Sequence, residues 1–306
     1  MNILVTGISG YIGSLLAPRL LRDGHQVRGL SRRPGALAGQ STVPVVQGDA
    51  VTGVGLERAL DGIDVAYFLI HSMEPSTNGT FAARDRAGAT NFARAAQRAG
   101  TRRIVYLGGL IPAGGPRSPH LASRLEVEQT LLTATPDSVA LRASIVIGAG
   151  SSPFRFLVRL VERMPVLAVP AWRTNRTAPI DERDAIELLA RAALSEEISG
   201  RSLDVGGPEV ITYGALIDRI RDHLLLGRPT ISFRRLTMTP IASRIAAAIA
   251  GEDHELIGPL MQSLGEDLIV AEERAIPLLG VRLHSLDSAI EHALRELDAT
   301  APLAAR

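Results

Sequence analysis

Residues 5–13 read VTGISGYIG, and this stretch decides the fold. It follows the apolar run NILVT (2–6) and precedes an amphipathic stretch at about 11–22. A strand, a glycine-rich turn and a helix in this order surround a phosphate with backbone amides and the positive end of the helix dipole. The stretch therefore predicts a dinucleotide-binding loop, and a purely structural turn is the alternative. The loop residues expected to contact the dinucleotide are Gly7, Ser9, Gly10, Tyr11, Ile12 and Gly13.

Short β-branched runs alternate with longer amphipathic stretches through the first 150 residues. The predicted strands are 2–6, 26–31, 44–47, 64–70, 102–108 and 138–147, and the main helices are 11–22, 81–99 and one that begins after Ser118. Such alternation is typical of βαβ units that build a parallel sheet covered on both faces. We therefore expect an α/β fold with a doubly wound, mainly parallel Rossmann-type sheet, and a smaller, mostly helical C-terminal part on the substrate side.

The regularity decreases after Gly150. A helix near 153–163, an extended stretch at 166–172, a helix at 182–194 and a strand at 202–206 are expected there. We predict a nucleotide-binding core over residues 1–150, with 177–210 returning to its sheet. Residues 151–176 and 211–306 would form the smaller C-terminal region.

Composition excludes several classes of function. The net charge is +1, which gives no support for nucleic-acid binding, and cysteine is absent, which excludes disulfides and thiolate chemistry. No secretory signal precedes the first strand and no apolar run reaches the roughly 20 residues of a membrane span, so a cytoplasmic protein without an integral membrane segment is expected. All 33 basic residues are arginine, so chemistry that needs a lysine is excluded as well.

The end of the second strand indicates which dinucleotide is bound. An acid there would hold the ribose 2′-hydroxyl of NAD, but this chain has Arg32 and Arg33, and guanidinium groups suit a 2′-phosphate. NADP is therefore predicted over NAD, with two solvated arginines as the alternative. Asp49 and Ala50 follow the third strand and would lie near the adenine, although Asp49 would also suit the turn that caps the next helix.

Several stretches taken together resemble a known superfamily. They are TGISGYIG (6–13), like TGxxGxxG; GDA (48–50), like an adenine-side GD motif; DRAGATN (85–91), like NVxGTxN with Asn91 in the matching place; LRASIVIGAG (141–150); and VGGPE (205–209). The chain resembles the atypical, extended-like branch of the short-chain dehydrogenase/reductases, which includes the NmrA-like NAD(P)H-binding proteins. The resemblance covers about residues 1–210. It implies that Leu69, Ile70, His71 and Ser72 lie beside the ribose and phosphates, Gly108 and Gly109 beneath the nicotinamide, and Ala143, Ser144 and Ile145 at its other side.

The chemistry of that superfamily commonly uses serine, tyrosine and lysine, and the corresponding helix here carries His120 and Arg124 instead. These two residues lie one helical turn apart, on one face. Arg124 could contact the cofactor in place of the lysine, and its charge is expected to oppose protonation of His120. His120 is a candidate acid, and His71 is its rival at a strand end. For all three, a polar residue without a catalytic role is the alternative. The other histidines show no spacing that suggests a metal site.

These observations favour an NADP(H)-dependent oxidoreductase that acts on a small, apolar carbonyl, alcohol or enone. A non-catalytic NADP-binding redox sensor of the NmrA-like kind is the second interpretation, and the absent serine–tyrosine–lysine set favours it. A nucleotide-sugar epimerase or dehydratase is the third. The sequence gives no oligomeric state.

Overall fold

A computed structural model describes the protein over residues 1–37, 41, 43–71, 81–164, 167–169, 171–227, 230–232, 264–271 and 275–300. Its centre is a seven-stranded sheet in which every pairing is parallel. The strands are β1 (Asn2–Thr6), β2 (Gln26–Ser31), β3 (Val45–Gln47), β4 (Val65–Phe68), β5 (Arg103–Gly109), β6 (Val139–Ala143) and β11 (Ser202–Val205). Their order is β11-β6-β5-β4-β1-β2-β3, so β1 to β3 extend the sheet in one direction and β4 onward extend it in the other, as in a doubly wound Rossmann fold.

Helices cover both faces of this sheet. In chain order they are α1 (Tyr11–Arg22), α2 (Leu56–Leu60), α3 (Phe81–Ala99), α4 (Pro119–Leu132), α5 (Ser152–Arg163), α6 (Glu182–Ala192), α7 (Tyr213–His223), α8 (Ala275–Leu279) and α9 (Leu286–Thr300). Ile3 and Val5 pack with α1 and α6 in one buried cluster, whereas Leu4 packs with α2, α3 and α4 in another. The alternation along β1 follows from the two-residue period of a strand, which sends neighbouring side chains to opposite faces.

A third buried cluster lies beyond the sheet. It joins α5, α7 and α9 and includes Trp172, whose ring meets that of Tyr213 edge-on with centroids 6.0 Å apart. Three small two-stranded pairings accompany it, formed by β7 (Val146–Ile147) with β10 (Ile180–Asp181), β8 (Leu167–Val169) with β13 (Thr230–Ser232), and β9 (Arg176–Thr177) with β12 (Ile211–Thr212). The expected helical character of the last hundred residues falls partly on 233–263, which lie outside the described residues.

The prediction of one strand over 138–147 was wrong. β6 ends at Ala143, and the chain resumes a two-residue strand only at Val146. The carbonyl of Ala143 accepts a hydrogen bond from Leu110 N, whereas that of Ile145 accepts one from Ile180 N. The backbone after Ala143 therefore pairs with a segment that arrives from far along the sequence, and Ser144 and Ile145 leave the sheet.

Two buried polar side chains attach α6 to the sheet. The Tyr67 hydroxyl donates to Leu189 O over 2.8 Å. The Arg103 side chain is fully buried and donates to Ala192 O and Ser195 O, each over 2.7 Å. Because the last carbonyls of a helix lack partners within the helix, Arg103 satisfies acceptors that burial would otherwise leave unpaired.

Candidate functional site

A cavity of about 710 Å³ lies at the carboxyl end of the sheet strands. Ligands bind in this position in open α/β sheets. Every described residue that the sequence assigned to the cofactor lines it: Gly7, Ser9, Gly10, Tyr11, Ile12, Gly13, Arg32, Arg33, Asp49, Ala50, Leu69, Ile70, His71, Gly108, Gly109, Arg124, Ala143, Ser144 and Ile145. His120 lines it too. Ser72 lies outside the described residues.

The glycine loop has the shape that a phosphate site requires. Gly7 has a φ of +65°, and a Cβ there would lie 2.7 Å from Leu69 O. A Cβ on Gly13 would overlap the carbonyl group of Gly7, with the carbonyl carbon 2.9 Å away. Gly10 caps α1 without a side chain, so the first amides of the helix are open to the cavity. Because fixed amides and the helix dipole attract anions, this loop fits the pyrophosphate of a dinucleotide.

The cavity wall formed by residues 49–51 is held by local hydrogen bonds. Asp49 Oδ1 accepts from Val51 N over 2.8 Å, so this carboxylate both lines the cavity and stabilises its own turn. It does not cap α2, whose N-cap is Gly55. The amide of Asn91 on α3 donates to Ala50 O and Val51 O over 3.1 and 2.8 Å. Asn91 therefore fixes the backbone on which an adenine would rest.

Two arginines stand at the end of β2, and both side chains are exposed. Arg32, Arg33, Asp49 and Ala50 all line the cavity, and the strands that precede them pair at their ends, Ser31 with Gln47. Both arginines therefore line the cavity at the end of the second strand, and the prediction that they contact a 2′-phosphate stays a prediction.

The floor of the cavity is made of backbone where β5 ends. A Cβ on Gly108 would lie 2.9 Å from the Tyr106 ring, and one on Gly109 would lie 3.3 Å from Leu121 Cδ2. The Tyr106 hydroxyl is buried and donates to Arg124 O over 3.5 Å, so it is unable to serve the cavity. Burial also raises the pKa of this tyrosine. Glycines at 108 and 109 therefore leave a flat surface on which a ring could lie.

Arg124 is the most unusual group of the site. Its side chain is 7% exposed, and it lines the cavity from α4. No carboxylate or other hydrogen-bond acceptor contacts its guanidinium within the part of the chain that the structure describes. Burial lowers the pKa of Arg124 to about 9. A buried cation without a counter-charge is costly, and it indicates that the cavity accepts a ligand with an acceptor or negative charge at this point.

His120 stands one turn before Arg124 and faces the same cavity. Its Nδ1 is buried without a partner among the described residues, and its ring lies 5.6 Å from that of Phe81. Burial lowers the pKa of His120, while Asp85 opposes that effect. Burial, rather than the charge of Arg124, is therefore what disfavours the imidazolium. His71 is exposed at the end of β4 and also lines the cavity.

Two further features of the site were not predicted from the sequence. Arg84 lines the cavity, and it shares one face of α3 with Gly88 and Asn91, a register that could have indicated it. Tyr11 is held by a hydrogen bond to Glu182 Oε2, and a Cβ on Gly150 would collide with the Tyr11 ring. No sequence signal connects residue 11 to residue 182. Phe154, Phe156 and Trp172 are buried in the core between α5, α7 and α9.

Comparison with known proteins agrees with this geometry. Residues 7–133 match a family described as NAD(P)H-binding. The chain is 30% identical to ceramide reductase of Caulobacter vibrioides over 185 residues, which are 60% of this chain and 58% of that protein. It is 34% identical to 3 beta-hydroxysteroid dehydrogenase/Delta 5-->4-isomerase of Mycobacterium tuberculosis over 129 residues, 37% of this chain and 35% of that protein. The chain thus spans about three fifths and one third of these two relatives.

The fold resembles that of the Citrobacter sp. triphenylmethane reductase complexed with NADP(H). The TM-score is 0.71 at 17% identity, over 96% of this chain and all of that one. The protein therefore has a Rossmann-type fold, and its residues 7–133 are similar to a family of NAD(P)H-binding proteins. The NAD(P)H-binding match and the similarity to the Mycobacterium tuberculosis enzyme agree with the resemblance to extended short-chain dehydrogenase/reductases that the sequence motifs indicate. Among the helices that the structure describes, none is long and apolar enough to cross a membrane.

Proposed function

We propose that the protein is an NADP(H)-dependent oxidoreductase that transfers hydride between the nicotinamide and a small, apolar carbonyl, alcohol or enone. The observation that carries this proposal is the buried guanidinium of Arg124, which lines the cavity and has no counter-charge among the residues that the structure describes. When a ketone is reduced, negative charge develops on its oxygen. A fixed cation in a dry site stabilises such charge strongly.

The cavity residues fit a bound dinucleotide, since a Cβ on Gly7 or Gly13 would fill the space against neighbouring backbone. The nicotinamide, when bound, would supply or accept the hydride. The glycine loop would hold the pyrophosphate, and Gly108 and Gly109 would support the ring. Arg124 would donate hydrogen bonds to the nicotinamide ribose, to the substrate oxygen or to both, because a guanidinium carries five donors.

The proton donor in this proposal is His120, His71 or water. Because burial lowers the pKa of His120, its ring is neutral at pH 7 and fits the orientation of a substrate oxygen better than the donation of a proton. His71 is exposed to water, from which it could recover a proton after each turnover. Orientation and proximity would supply most of the rate enhancement.

The names of the curated relatives favour an apolar substrate, since ceramides and steroids are apolar molecules. The first test is therefore a transfer experiment with NADPH deuterated at either C4 position and a panel of apolar ketones, quinones and enones. Deuterium in a product supports the oxidoreductase. Tight NADPH binding with no transfer to any of them would instead favour the non-catalytic redox sensor. The predicted cytoplasmic location stays a prediction.

The preference for NADP over NAD is proposed from Arg32 and Arg33 and is tested separately. Arg32→Asp should weaken NADPH relative to NADH by at least tenfold, because a carboxylate repels the 2′-phosphate and suits a 2′-hydroxyl. Arg22→Asp is the matched control, since Arg22 is exposed at the end of α1 and does not line the cavity. An unchanged NADPH-to-NADH ratio in Arg32→Asp would contradict the assignment.

A further inference from the structure

A cluster of three possible metal ligands lies outside the cavity, where the first turn of α6 meets α9. Its members are Glu182, His292 and Glu296. His292 and Glu296 are four residues apart on α9, so they face the same side of that helix. The nitrogen of His292 and one oxygen from each carboxylate all lie within 4.8 Å of one another.

The distances within the cluster suit an ion at its centre. His292 Nε2 lies 3.6 Å from Glu182 Oε1 and 3.5 Å from Glu296 Oε1. Tetrahedral zinc bonds nitrogen and oxygen ligands at about 2.0–2.2 Å, which sets the ligands about 3.4 Å apart. Direct N–H···O hydrogen bonds would instead be about 2.9 Å long. The two distances from His292 are therefore close to the spacing of zinc ligands and longer than a hydrogen bond.

The burial and the negative charge of the two glutamates also favour a bound cation. Glu182 is 5% exposed; its Oε2 accepts from the Tyr11 hydroxyl, while Oε1 faces the cluster. Burial raises the pKa of Glu182 to about 7, and the negative charges of Glu296 and Asp181 raise it further. Asp181 is paired with Arg183, but within the described residues neither glutamate forms an ion pair with any arginine. The chain has 33 arginines, so this excess of negative charge stands out.

We propose that Glu182, His292 and Glu296 bind a divalent metal ion of the zinc class. One imidazole and two carboxylates are a ligand set that zinc accepts, and the partly exposed side of Glu296 leaves room for a water as fourth ligand. The ion joins α9 to α6, and it fixes the carboxylate that holds Tyr11 of the glycine loop. This proposal differs from the sequence prediction, in which the spacing of the histidines suggested no metal site. This site does not depend on the proposed oxidoreductase activity.

The test uses full-length protein freed of metal by a chelator and then dialysed. Titration calorimetry with Zn²⁺ alone should give one saturable site, and zinc at one hundred times its Kd should raise the melting temperature by about 5 °C. His292→Ala and Glu296→Gln should each weaken zinc binding at least tenfold. Both positions are partly exposed, so the variants are expected to fold. An anomalous zinc signal between these side chains in a crystal would locate the ion.

The matched control is His223→Ala. His223 pairs with Asp287 over 3.1 Å at the end of α7 and is not part of the cluster, so its loss should leave the zinc Kd unchanged. The proposal is overturned if the wild type shows no saturable zinc binding. It is equally overturned if His292→Ala binds zinc as the wild type does. In either case, the two carboxyl groups share a proton or pair with an imidazolium instead.

Discussion

Replacing Arg124 by methionine should stabilise the free protein and weaken its binding of NADPH. The Arg124 side chain is 7% exposed, and burial lowers its pKa well below the usual range of arginine, to about 9. At about 1.4 kcal/mol for each pH unit, this change corresponds to about 5 kcal/mol of unfavourable burial of the charge. Water in the cavity relieves part of that cost, so we expect a gain of about 1–4 kcal/mol in the free energy of unfolding, as for other buried charges replaced by apolar residues.

The assay compares thermal unfolding without and with NADPH. Without ligand, Arg124→Met should melt about 2–8 °C above the wild type. In a fluorescence titration, its Kd for NADPH should rise at least tenfold, because methionine cannot donate the hydrogen bonds that the guanidinium would give to acceptor atoms of the ligand. The two effects therefore have opposite signs in one variant, and a general loss of structure would not produce that combination.

Arg98→Met is the matched control. The Arg98 side chain is 71% exposed and pairs with Glu57 over 3.2 Å, so its replacement should change stability by less than about 0.5 kcal/mol. If Arg124→Met melts below the wild type in the absence of ligand, Arg124 is already satisfied in the free protein. The argument for a ligand at that point would then be refuted.

Three further predictions concern the same cavity. Gly13→Ala should lower the free energy of unfolding by about 1–3 kcal/mol and abolish measurable NADPH binding, because the new Cβ would collide with backbone atoms. Gly35→Ala is the control: a Cβ there would have no neighbouring atom within 4 Å, so this variant should melt and bind NADPH as the wild type does. Asn91→Ala removes the two hydrogen bonds to the carbonyls of residues 50 and 51, so it should lower the free energy of unfolding in chemical denaturation by about 1–3 kcal/mol and weaken NADPH binding. An NADPH affinity equal to that of the wild type would contradict the proposed adenine site. Burial lowers the pKa of His120 in the folded state, so the unfolded chain binds more protons below about pH 6.5. The free energy of unfolding of the wild type should therefore decrease there as the pH falls, and that of His120→Asn should decrease less. Parallel pH profiles of the two proteins would show that the ring is not buried in solution.

Local signals in the sequence predicted those elements whose ends are fixed locally. The predicted bounds of α1 and α3 agree with the structure, because Gly24 and Gly100 follow their ends with positive φ. The side chain of Ser118 caps α4 as its sequence suggested, by accepting from Leu121 N. The glycine loop could likewise be predicted from the sequence, because the strand, the glycines and the helix are contiguous in the chain.

The features that the sequence did not predict depend on distant partners. The end of β6 at Ala143 is set by hydrogen bonds to a segment near residue 180. Arg102 and Arg103 are adjacent in the sequence, yet only Arg103 is buried, since the end of α6 supplies its acceptors. Helical spacing placed Arg124 on a face of α4, but its burial, without a counter-charge in the described parts of the chain, follows from the packing around the cavity.

The bond between Tyr11 and Glu182 has a consequence for the order of events during synthesis. The two residues are separated by 171 positions, and a ribosome adds about 5–20 residues per second, so the glycine loop emerges roughly 10–35 s before its partner exists. The segment 7–133 that matches the NAD(P)H-binding family ends before α6, which covers one face of the sheet. A nascent chain of that length should therefore leave apolar sheet surface uncovered, and we expect it to need a chaperone until residue 192 has left the exit tunnel.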